Sequence, residues 1–264
     1  MKYAFLGAGN MAGAILQGLV KNGVAPDCLY AYAPSTTHTE PLRQQLGITI
    51  CSDRQSLVAD ADILVLAVKP HILAELIDSL AAELETQYPL IISLAAGKDL
   101  AYLEEHLGKG RSIARVMPNI NAKIGCSTTG CSVNAAVSAE EKTQIEQLFS
   151  CIGTVDFLPE SQFGIFMALA GSAPAFAYLY IDALARAGQR AGMPKAQALA
   201  IAASAVRGSA EMILQSGEHP WALIDQVCSP GGTTIEGVAA LEDAGFPSAL
   251  RKAVDAVLEK DRRM

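Results

Sequence analysis

The feature that most constrains the fold is a glycine-rich turn between an apolar segment and a helical pattern. Residues 2–6 form a short apolar run, and Gly7-Ala8-Gly9-Asn10-Met11-Ala12 follows directly, matching the spacing G-x-G-x-x-[GA]. In such a turn the first glycine makes the bend, the second lets the backbone approach a pyrophosphate, and a small third residue lets helix and strand pack closely. A helical pattern runs on to Gly23, and a second apolar strand begins at Leu29. The sequence therefore predicts a βαβ unit that binds a dinucleotide.

Apolar runs continue as strands through the first three-fifths of the chain. Further strands are predicted at 48–51, 62–68, 90–94, 112–117, 126–133 and 153–158, with a helix over 139–151 between the last two. Near-continuous apolar runs suit parallel strands that are covered on both faces. We therefore expect an α/β Rossmann-type dinucleotide-binding domain over residues 1–158.

Beyond Pro159 only helical patterns remain. They cover 161–190, 194–215, 221–228, 233–243 and 247–260. We therefore expect an all-α helical domain for dimerisation and substrate binding over residues 159–264. The 161–190 segment has no charged residue from Phe163 to Ile181, which meets the length criterion for a membrane span. Because glycines and a proline interrupt it, we favour a helix of roughly 45 Å buried against a partner subunit, and hence an obligate homodimer.

Loops after parallel strands line the crevice at the carboxyl edge of such a sheet, where dinucleotides bind. The predicted cofactor-binding residues are Leu6, Gly7, Ala8, Gly9, Asn10, Met11, Pro34, Ser35, Thr36, Ala67, Val68, Lys69, Pro70, Ala95, Ala96, Met117, Pro118 and Asn119. The amide of Asn119 suits a carboxamide or a ribose. The alternative is that Asn119 serves only the turn after Pro118.

The end of the second strand bears on the choice of cofactor. An NAD site usually places a carboxylate there, but this chain has Ala33-Pro34-Ser35-Thr36-Thr37. Without an acid a 2′-phosphate is not repelled, and three hydroxyls are available to donate to it. We expect NADPH, with NADH as the alternative. A solvated loop with no role in cofactor binding is the other interpretation.

Charge and cysteine usage exclude several classes of protein. A formal net charge of −7 and no cluster of lysine and arginine argue against nucleic-acid binding, so small molecules are the expected partners. The six cysteines form no C-x-x-C pair and are interpreted as reduced cytosolic thiols. Glycines at 7, 9 and 13 break the apolar N-terminus, which speaks against a signal peptide. We expect a cytoplasmic protein with no membrane association.

A second glycine-rich turn, Ser229-Pro230-Gly231-Gly232-Thr233-Thr234, precedes a predicted helix. The unpaired amides at a helix N-terminus carry partial positive charge and can hold a small carboxylate without any lysine or arginine. The alternative is an ordinary helix cap after a tight turn.

The remaining residues narrow the chemistry. No Ser-His-Asp set and no metal-ligand spacing occur, so no metal is expected and hydride transfer is the reaction that remains. Reduction of a ketone needs a proton donor, whereas a protonated imine is already electrophilic and needs mainly positioning. The 161–190 segment contains no lysine, which disfavours lysine-dependent 3-hydroxyacid dehydrogenases of similar layout. The sequence therefore favours reduction of a C=N bond.

Taken together, these motifs resemble the pyrroline-5-carboxylate reductase family over essentially the whole chain. The matching segments are 5–11, 67–70, 93–97, 115–119, 171–175 and 227–234, with the S-P-G-G-T-T run the most specific. The resemblance implies NAD(P)H-dependent reduction of L-1-pyrroline-5-carboxylate to L-proline by a homodimer with swapped helical domains, often gathered into a larger ring. It implies substrate binding by Glu160, Gln226, Ser229, Gly231, Gly232, Thr233 and Thr234, with the hydroxyl of Thr234 on the ring nitrogen as the catalytic contact.

The chain departs from the family pattern at Gly164, Met167 and Ala173, where an aspartate, a threonine and a glycine are usual. These departures bear on dimer packing and on the pocket near Glu160. Two other functions stay open: reduction of a different imine, and a redox-sensing protein that binds the dinucleotide without turnover. The intact 229–234 turn disfavours the sensor.

Overall fold

The structure is a computed structural model that describes residues 1–263. They form two compact units, Met1–Gly171, here called the sheet unit, and Ser172–Arg263, here called the helical unit. This division, at 171/172, falls further along the chain than the domain boundary expected at 158/159. The expected boundary between the functional domains stays a prediction.

The sheet unit is built on eight strands in one sheet. The strands are β1 (Tyr3–Leu6), β2 (Leu29–Tyr32), β3 (Thr49–Ile50), β4 (Ile63–Leu66), β5 (Leu90–Ser93), β6 (Ile113–Met117), β7 (Ser127–Val133) and β8 (Gly153–Phe157). Their order is β3-β2-β1-β4-β5-β6-β7-β8. The first six run parallel; β7 is antiparallel to β6, and β8 is parallel to β7. Because 3-2-1-4-5-6 is the order of dinucleotide-binding sheets, the predicted Rossmann-type domain is confirmed.

Helices cover both faces of this sheet. They are α1 (Asn10–Lys21), α2 (Thr36–Leu46), α3 (Arg54–Val58), α4 (Leu73–Asp78), α5 (Ala81–Thr86), α6 (Leu100–Leu107), α7 (Ala139–Ser150) and α8 (Phe163–Phe166). Alternate strand residues point to opposite faces, so Phe5 and Val65 join one buried apolar cluster while Leu6 and Leu64 join the other. Two filled layers fix the positions of the loops at the carboxyl edge.

The segment predicted as one helix from Ser161 to Arg190 is not continuous, and that expectation is wrong. After α8 the chain makes a π-helical turn over Met167–Gly171, and α9 begins only at Ala173. Pro174 explains the break, because it has no N–H to donate to the carbonyl of Ala170 and its ring crowds that carbonyl.

The helical unit contains α9 (Ala173–Arg190), α10 (Lys195–Ser216), α11 (Pro220–Val227), α12 (Thr233–Asp243) and α13 (Phe246–Asp261). The four predicted helices after α9 are confirmed with ends within one residue. Its buried apolar cluster consists of Ala185, Ala198 and Ala202, with Ile181 packed against them. The large side chains of Leu179 and Leu214 are 71% and 79% exposed. The helical unit therefore leaves many of its large apolar side chains uncovered.

By length and composition, Glu160–Arg190 is the one stretch among residues 1–263 that could cross a membrane, with a mean hydropathy of 1.5 in its most apolar window. Only 17% of the most apolar 18 residues of this stretch are buried within the chain. The core helix of a soluble protein meets the same criterion, so this stretch is weak evidence for a membrane span. Its exposed apolar residues still require a covering surface.

Candidate active site

The glycine turn after β1 has the geometry that the motif predicts. Gly7 has φ +105°, and its N–H donates to the carbonyl of Tyr32 at 2.8 Å. A Cβ at this position would lie 2.3 Å from the carbonyl oxygen of Ala67, so only glycine fits. β1, β2 and β4 therefore end side by side at the point where the strand order reverses.

α1 begins at this turn with its amides free for a ligand. Gly9 is the N-cap, and within the described chain no side chain caps the helix. A Cβ at Gly9 would meet nothing within 4 Å, so its backbone faces open space. A pyrophosphate fits this helix start, because exposed backbone N–H groups and the helix dipole both favour an anion.

The segment after β2 is a helix start rather than an open loop. Ser35 caps α2, its Oγ accepting from the Thr37 N–H at 3.3 Å and donating to the Thr37 Oγ1 at 3.0 Å. One of the predicted phosphate-binding hydroxyls is thus already engaged locally. The cofactor role of Pro34, Ser35 and Thr36 stays a prediction.

A cavity of about 240 Å³ lies at the carboxyl ends of β1, β2 and β4, and we call it the sheet-edge cavity. It is lined by Leu6, Gly7, Tyr32, Pro34, Arg54, Val68, Ile72, Glu75 and Leu76. Its volume is below the roughly 300–1,000 Å³ of a site that encloses a whole drug-sized ligand. The cavity therefore suits one end of a dinucleotide, with apolar side chains on its walls.

Four of the predicted cofactor-binding residues, Leu6, Gly7, Pro34 and Val68, line the sheet-edge cavity. Its other lining residues, including Arg54, were not predicted. Arg54 follows β3, and only the strand order, which sets β3 beside β2, could have indicated it.

The predicted residues after β4 and β5 lie at the same edge. The N–H of Ala67 donates to the carbonyl of Leu6 at 2.8 Å, and Pro70 opens a short 3₁₀ turn. Lys69 is exposed, whereas Ala95 is buried and its N–H donates to Ser93 Oγ at 3.3 Å. Their contacts with a cofactor stay predictions.

Asn119, after β6, is buried and held by internal hydrogen bonds. Its Nδ2 donates to the carbonyl of Ala170 at 3.1 Å, and its Oδ1 accepts from the Asn121 N–H at 3.0 Å. Ala170 is the residue whose carbonyl Pro174 leaves without a helical donor, so the amide of Asn119 supplies the missing bond. These bonds explain Asn119 without a ligand, and its role in cofactor binding stays a prediction.

Glu160 forms a partly buried ion pair that the sequence did not predict. Its Oε1 accepts from Nη1 of Arg115 on β6, and the guanidinium lies 4.2 Å over the ring of Phe163. Within residues 1–263, Arg115 Nε and Glu160 Oε2 have no hydrogen-bond partner. The ion pair joins the start of the 160–171 segment to the sheet, and the substrate contact of Glu160 stays a prediction.

The Ser229–Thr234 turn leads directly into α12. Gly231 has φ +67°, and the N–H of Gly232 donates to the carbonyl of Ser229 at 3.0 Å. The N-cap is Gly232 rather than a threonine, and no side chain of the described residues caps the helix. The threonine-cap form of the alternative is not present, but a glycine cap after a tight turn is, so the anion site stays a prediction. Thr233 and Thr234 are exposed at the helix start, where backbone amides favour an anion.

Two of the predicted substrate residues, Gln226 and Thr234, line one cavity of about 770 Å³ within the helical unit. The Nε2 of Gln226 donates to Glu218 Oε2 at 2.7 Å. The rest of this cavity wall is mainly apolar, from α9, α10, α11 and α12. It combines an apolar surface with a few polar groups, as small-molecule sites do.

The fold and these sites define a dinucleotide-dependent oxidoreductase with a helical second domain. Two family models match the chain: pyrroline-5-carboxylate reductase dimerisation over residues 160–264, and NADP oxidoreductase, coenzyme F420-dependent, over residues 2–97. A pyrroline-5-carboxylate reductase of Escherichia coli (strain K12) is 40% identical over 264 residues, covering 100% of this chain and 98% of that relative. The chain belongs to the pyrroline-5-carboxylate reductase family.

Solved structures agree with this assignment. The pyrroline-5-carboxylate reductase of Coxiella burnetii superposes with a TM-score of 0.95 at 31% identity, over 99% of this chain and 97% of that one. A pyrroline carboxylate reductase of Plasmodium falciparum, solved with NADP bound, gives a TM-score of 0.88 at 28% identity, over 100% of this chain and 97% of that one.

Proposed function

We propose that this chain reduces L-1-pyrroline-5-carboxylate to L-proline with NADPH, the last step of proline biosynthesis. The observation that carries the proposal is the start of α12, where the Ser229–Thr234 turn presents uncapped amides beside a mainly apolar cavity. A small ring with one carboxylate suits both features. The family membership and the relatives' names support the same substrate.

In this proposal the residues of the helical unit bind and orient the substrate. The backbone N–H groups of Thr233 and Thr234 hold the carboxylate, because a helix N-terminus favours an anion. The hydroxyl of Thr234 hydrogen-bonds the ring nitrogen, while Ser229, Gly231 and Gly232 shape the turn. Gln226 is a further proposed substrate residue of the helical unit. Glu160, the last of the proposed substrate residues, belongs to the sheet unit.

The sheet unit binds the cofactor in this proposal. The glycine turn and the start of α1 hold the pyrophosphate, and the sheet-edge cavity holds the adenosine end. NADPH, when bound, supplies the hydride that reduces the C=N bond. NADH is the alternative cofactor. The family model for an NADP oxidoreductase over residues 2–97 and the relative solved with NADP support NADPH.

The proposed assembly is a cytoplasmic homodimer, which gathers further into a ring of dimers. The match of residues 160–264 to a dimerisation family and the uncovered apolar residues of the helical unit support the dimer. In this proposal the partner subunit, rather than a membrane, covers the apolar residues that are exposed in the single chain. Small molecules, not nucleic acids, are its other partners.

An assay of nucleotide oxidation tests the proposed function. NADPH and NADH oxidation are followed with racemic pyrroline-5-carboxylate and, in parallel, with other cyclic and open-chain imines. We expect turnover with pyrroline-5-carboxylate and proline as the product. Turnover of another imine alone, or of none, would contradict the proposal and favour the other reductase or the sensor, respectively.

A further inference from the structure

Arg54 lies at the start of α3, beyond the segment where the sequence places cofactor selection. Its side chain lines the sheet-edge cavity together with Gly7, Tyr32 and Pro34. No arginine occurs in residues 33–37. However, β3 pairs with β2 in parallel, so the segment that follows β3 starts beside the end of β2. This segment brings the guanidinium of Arg54 to the cavity.

The guanidinium of Arg54 is held at one end and free at the other. Its Nη1 donates to Ser79 Oγ at 2.9 Å, and that hydroxyl donates to the carbonyl of Leu76 at 2.7 Å. A guanidinium carries five N–H donors, so most of them remain available. Glu75 lines the same cavity, yet among residues 1–263 no carboxylate forms an ion pair with Arg54. Arg54 is therefore a cation without a counter-ion within the described chain, and it lines the sheet-edge cavity.

The end of β2 lacks the carboxylate that usually selects NAD. In an NAD site that carboxylate binds the ribose hydroxyls, whereas an arginine near that point accommodates a 2′-phosphate instead. We propose that Arg54 binds the 2′-phosphate of NADPH and is the main determinant of its preference over NADH. The inference rests on the proposed function for its cofactor. A planar guanidinium suits a phosphate in bidentate geometry, whereas a ribose hydroxyl gives it no charge to bind.

Two nucleotide fragments separate this contact from catalysis. Adenosine 2′,5′-bisphosphate carries the 2′-phosphate, and 5′-AMP does not. We expect wild-type protein to bind the bisphosphate more tightly in isothermal titration calorimetry, with a preference that falls as NaCl rises. Arg54→Met should reduce that preference about 10- to 100-fold, the range for a lost charge-assisted hydrogen bond, and leave 5′-AMP binding unchanged.

Two further variants control for charge and for folding. Arg43→Met removes the same charge from an exposed arginine of α2 that pairs with Glu40 and does not line the cavity, so the preference should be unchanged. Ser79→Ala removes the bond that holds Arg54 while keeping its charge. A loss of about 2- to 5-fold is expected there, and it tests the inference even if Arg54→Met is poorly folded.

Three results would overturn the inference: a wild-type protein with no preference for the bisphosphate, an unchanged preference in Arg54→Met, or equal losses for both fragments. The proposed function is tested separately. If Arg54→Met loses the preference but still reduces pyrroline-5-carboxylate with NADH, both proposals are supported. If wild-type protein shows the expected fragment binding but reduces no imine, only the proposed function fails.

Discussion

The sheet unit and the helical unit differ in how much apolar surface each can bury by itself. The sheet unit fills both faces of its sheet, with β4 and β5 fully buried. The helical unit buries three alanines and leaves Leu179 and Leu214 exposed. Stability comes mainly from apolar burial, so the first unit is self-sufficient and the second is not.

The same contrast applies to the polar groups. In the sheet unit, internal bonds hold Asn119, Arg115 and Glu160 in place. In the helical unit, no side chain among residues 1–263 caps the start of α12, and Thr234 is exposed. We infer that the sheet unit presents a preformed cofactor site, whereas the helical unit depends on a second copy of the chain for its stability.

The largest expected effect tests that dependence. Leu179→Asp places a charge on the exposed apolar surface of α9, where burial of an unpaired carboxylate against a partner is strongly unfavourable. We expect a monomer with essentially no activity. Size-exclusion chromatography with light scattering across a dilution series measures the change.

Tyr88→Asp is the matched control in the sheet unit. Tyr88 is 75% exposed, close to the 71% of Leu179, and its ring lies 4.6 Å from the Arg111 guanidinium. The loss of that cation–π contact costs about 0.5–1 kcal/mol, and the dimer should persist. A dimer that survives Leu179→Asp, or dissociates equally in both variants, would remove the contrast between the units.

Much of this architecture could be predicted from local sequence. The glycine spacing after β1 predicts the turn at Gly7, and apolar runs predict the strands, because each depends on residues adjacent in the chain. The helices after α9 were equally accessible through their spacing and turn residues. The break in the predicted 161–190 helix could not be predicted in this way. The apolar pattern continues through Pro174, but it carries no information about the backbone hydrogen bond that Pro174 removes.

The polar partners could not be predicted, because each pair joins residues far apart in the chain. Arg115 and Glu160 meet only after β6 and the 160–171 segment have packed together. Asn119 reaches the carbonyl of Ala170 in the same way. Arg54 reaches the sheet-edge cavity through the strand order. Local patterns therefore indicated where the sites lie, but not which long-range contacts complete them.

The second prediction places the reaction chemistry in the helical unit. Thr234→Ala should lower kcat/KM about a hundredfold, since loss of one hydrogen-bond donor at a developing charge costs about 2.7–4 kcal/mol. Nucleotide affinity should not change, because the predicted cofactor-binding residues lie in the sheet unit. Steady-state kinetics and calorimetry measure the two quantities. Ser248→Ala on α13, outside the Thr234 cavity, is the control; unchanged kinetics in Thr234→Ala would exclude its hydroxyl from the mechanism.

The third prediction concerns ion pairs in the two units. Arg115→Met leaves Glu160 partly buried without its partner, whereas Arg186→Met removes an exposed pair with Asp182 on α9. Breaking a fully buried pair costs about 3–5 kcal/mol. Since the Glu160 side chain is 31% exposed, we expect roughly 1–3 kcal/mol from Arg115→Met, after discounting that range for solvent. Arg186→Met should cause no measurable change.

Urea unfolding measures both ion-pair variants. The double variant Arg115→Met with Glu160→Gln should recover part of the loss, because the uncompensated carboxylate is gone. Equal stability of Arg115→Met and Arg186→Met would show that the sheet-unit pair is no more important than the exposed one.

The fourth prediction is an alkaline sensitivity of the sheet unit. Burial raises the pKa of the Cys131 and Cys151 thiols from 9.0 to about 12. Above pH 9 the unfolded chain therefore binds fewer protons than the folded one, so stability is full below pH 9 and is lost as pH rises towards 12. At pH 10 the loss is about 1 kcal/mol per thiol.

Urea unfolding at pH 8 and pH 10 measures this loss. The difference in unfolding free energy between the two pH values should be smaller in the Cys131→Ala, Cys151→Ala double variant than in wild type. Equal pH differences would mean that neither thiol ionises on unfolding, and the proposed alkaline weakness of the sheet core would be wrong.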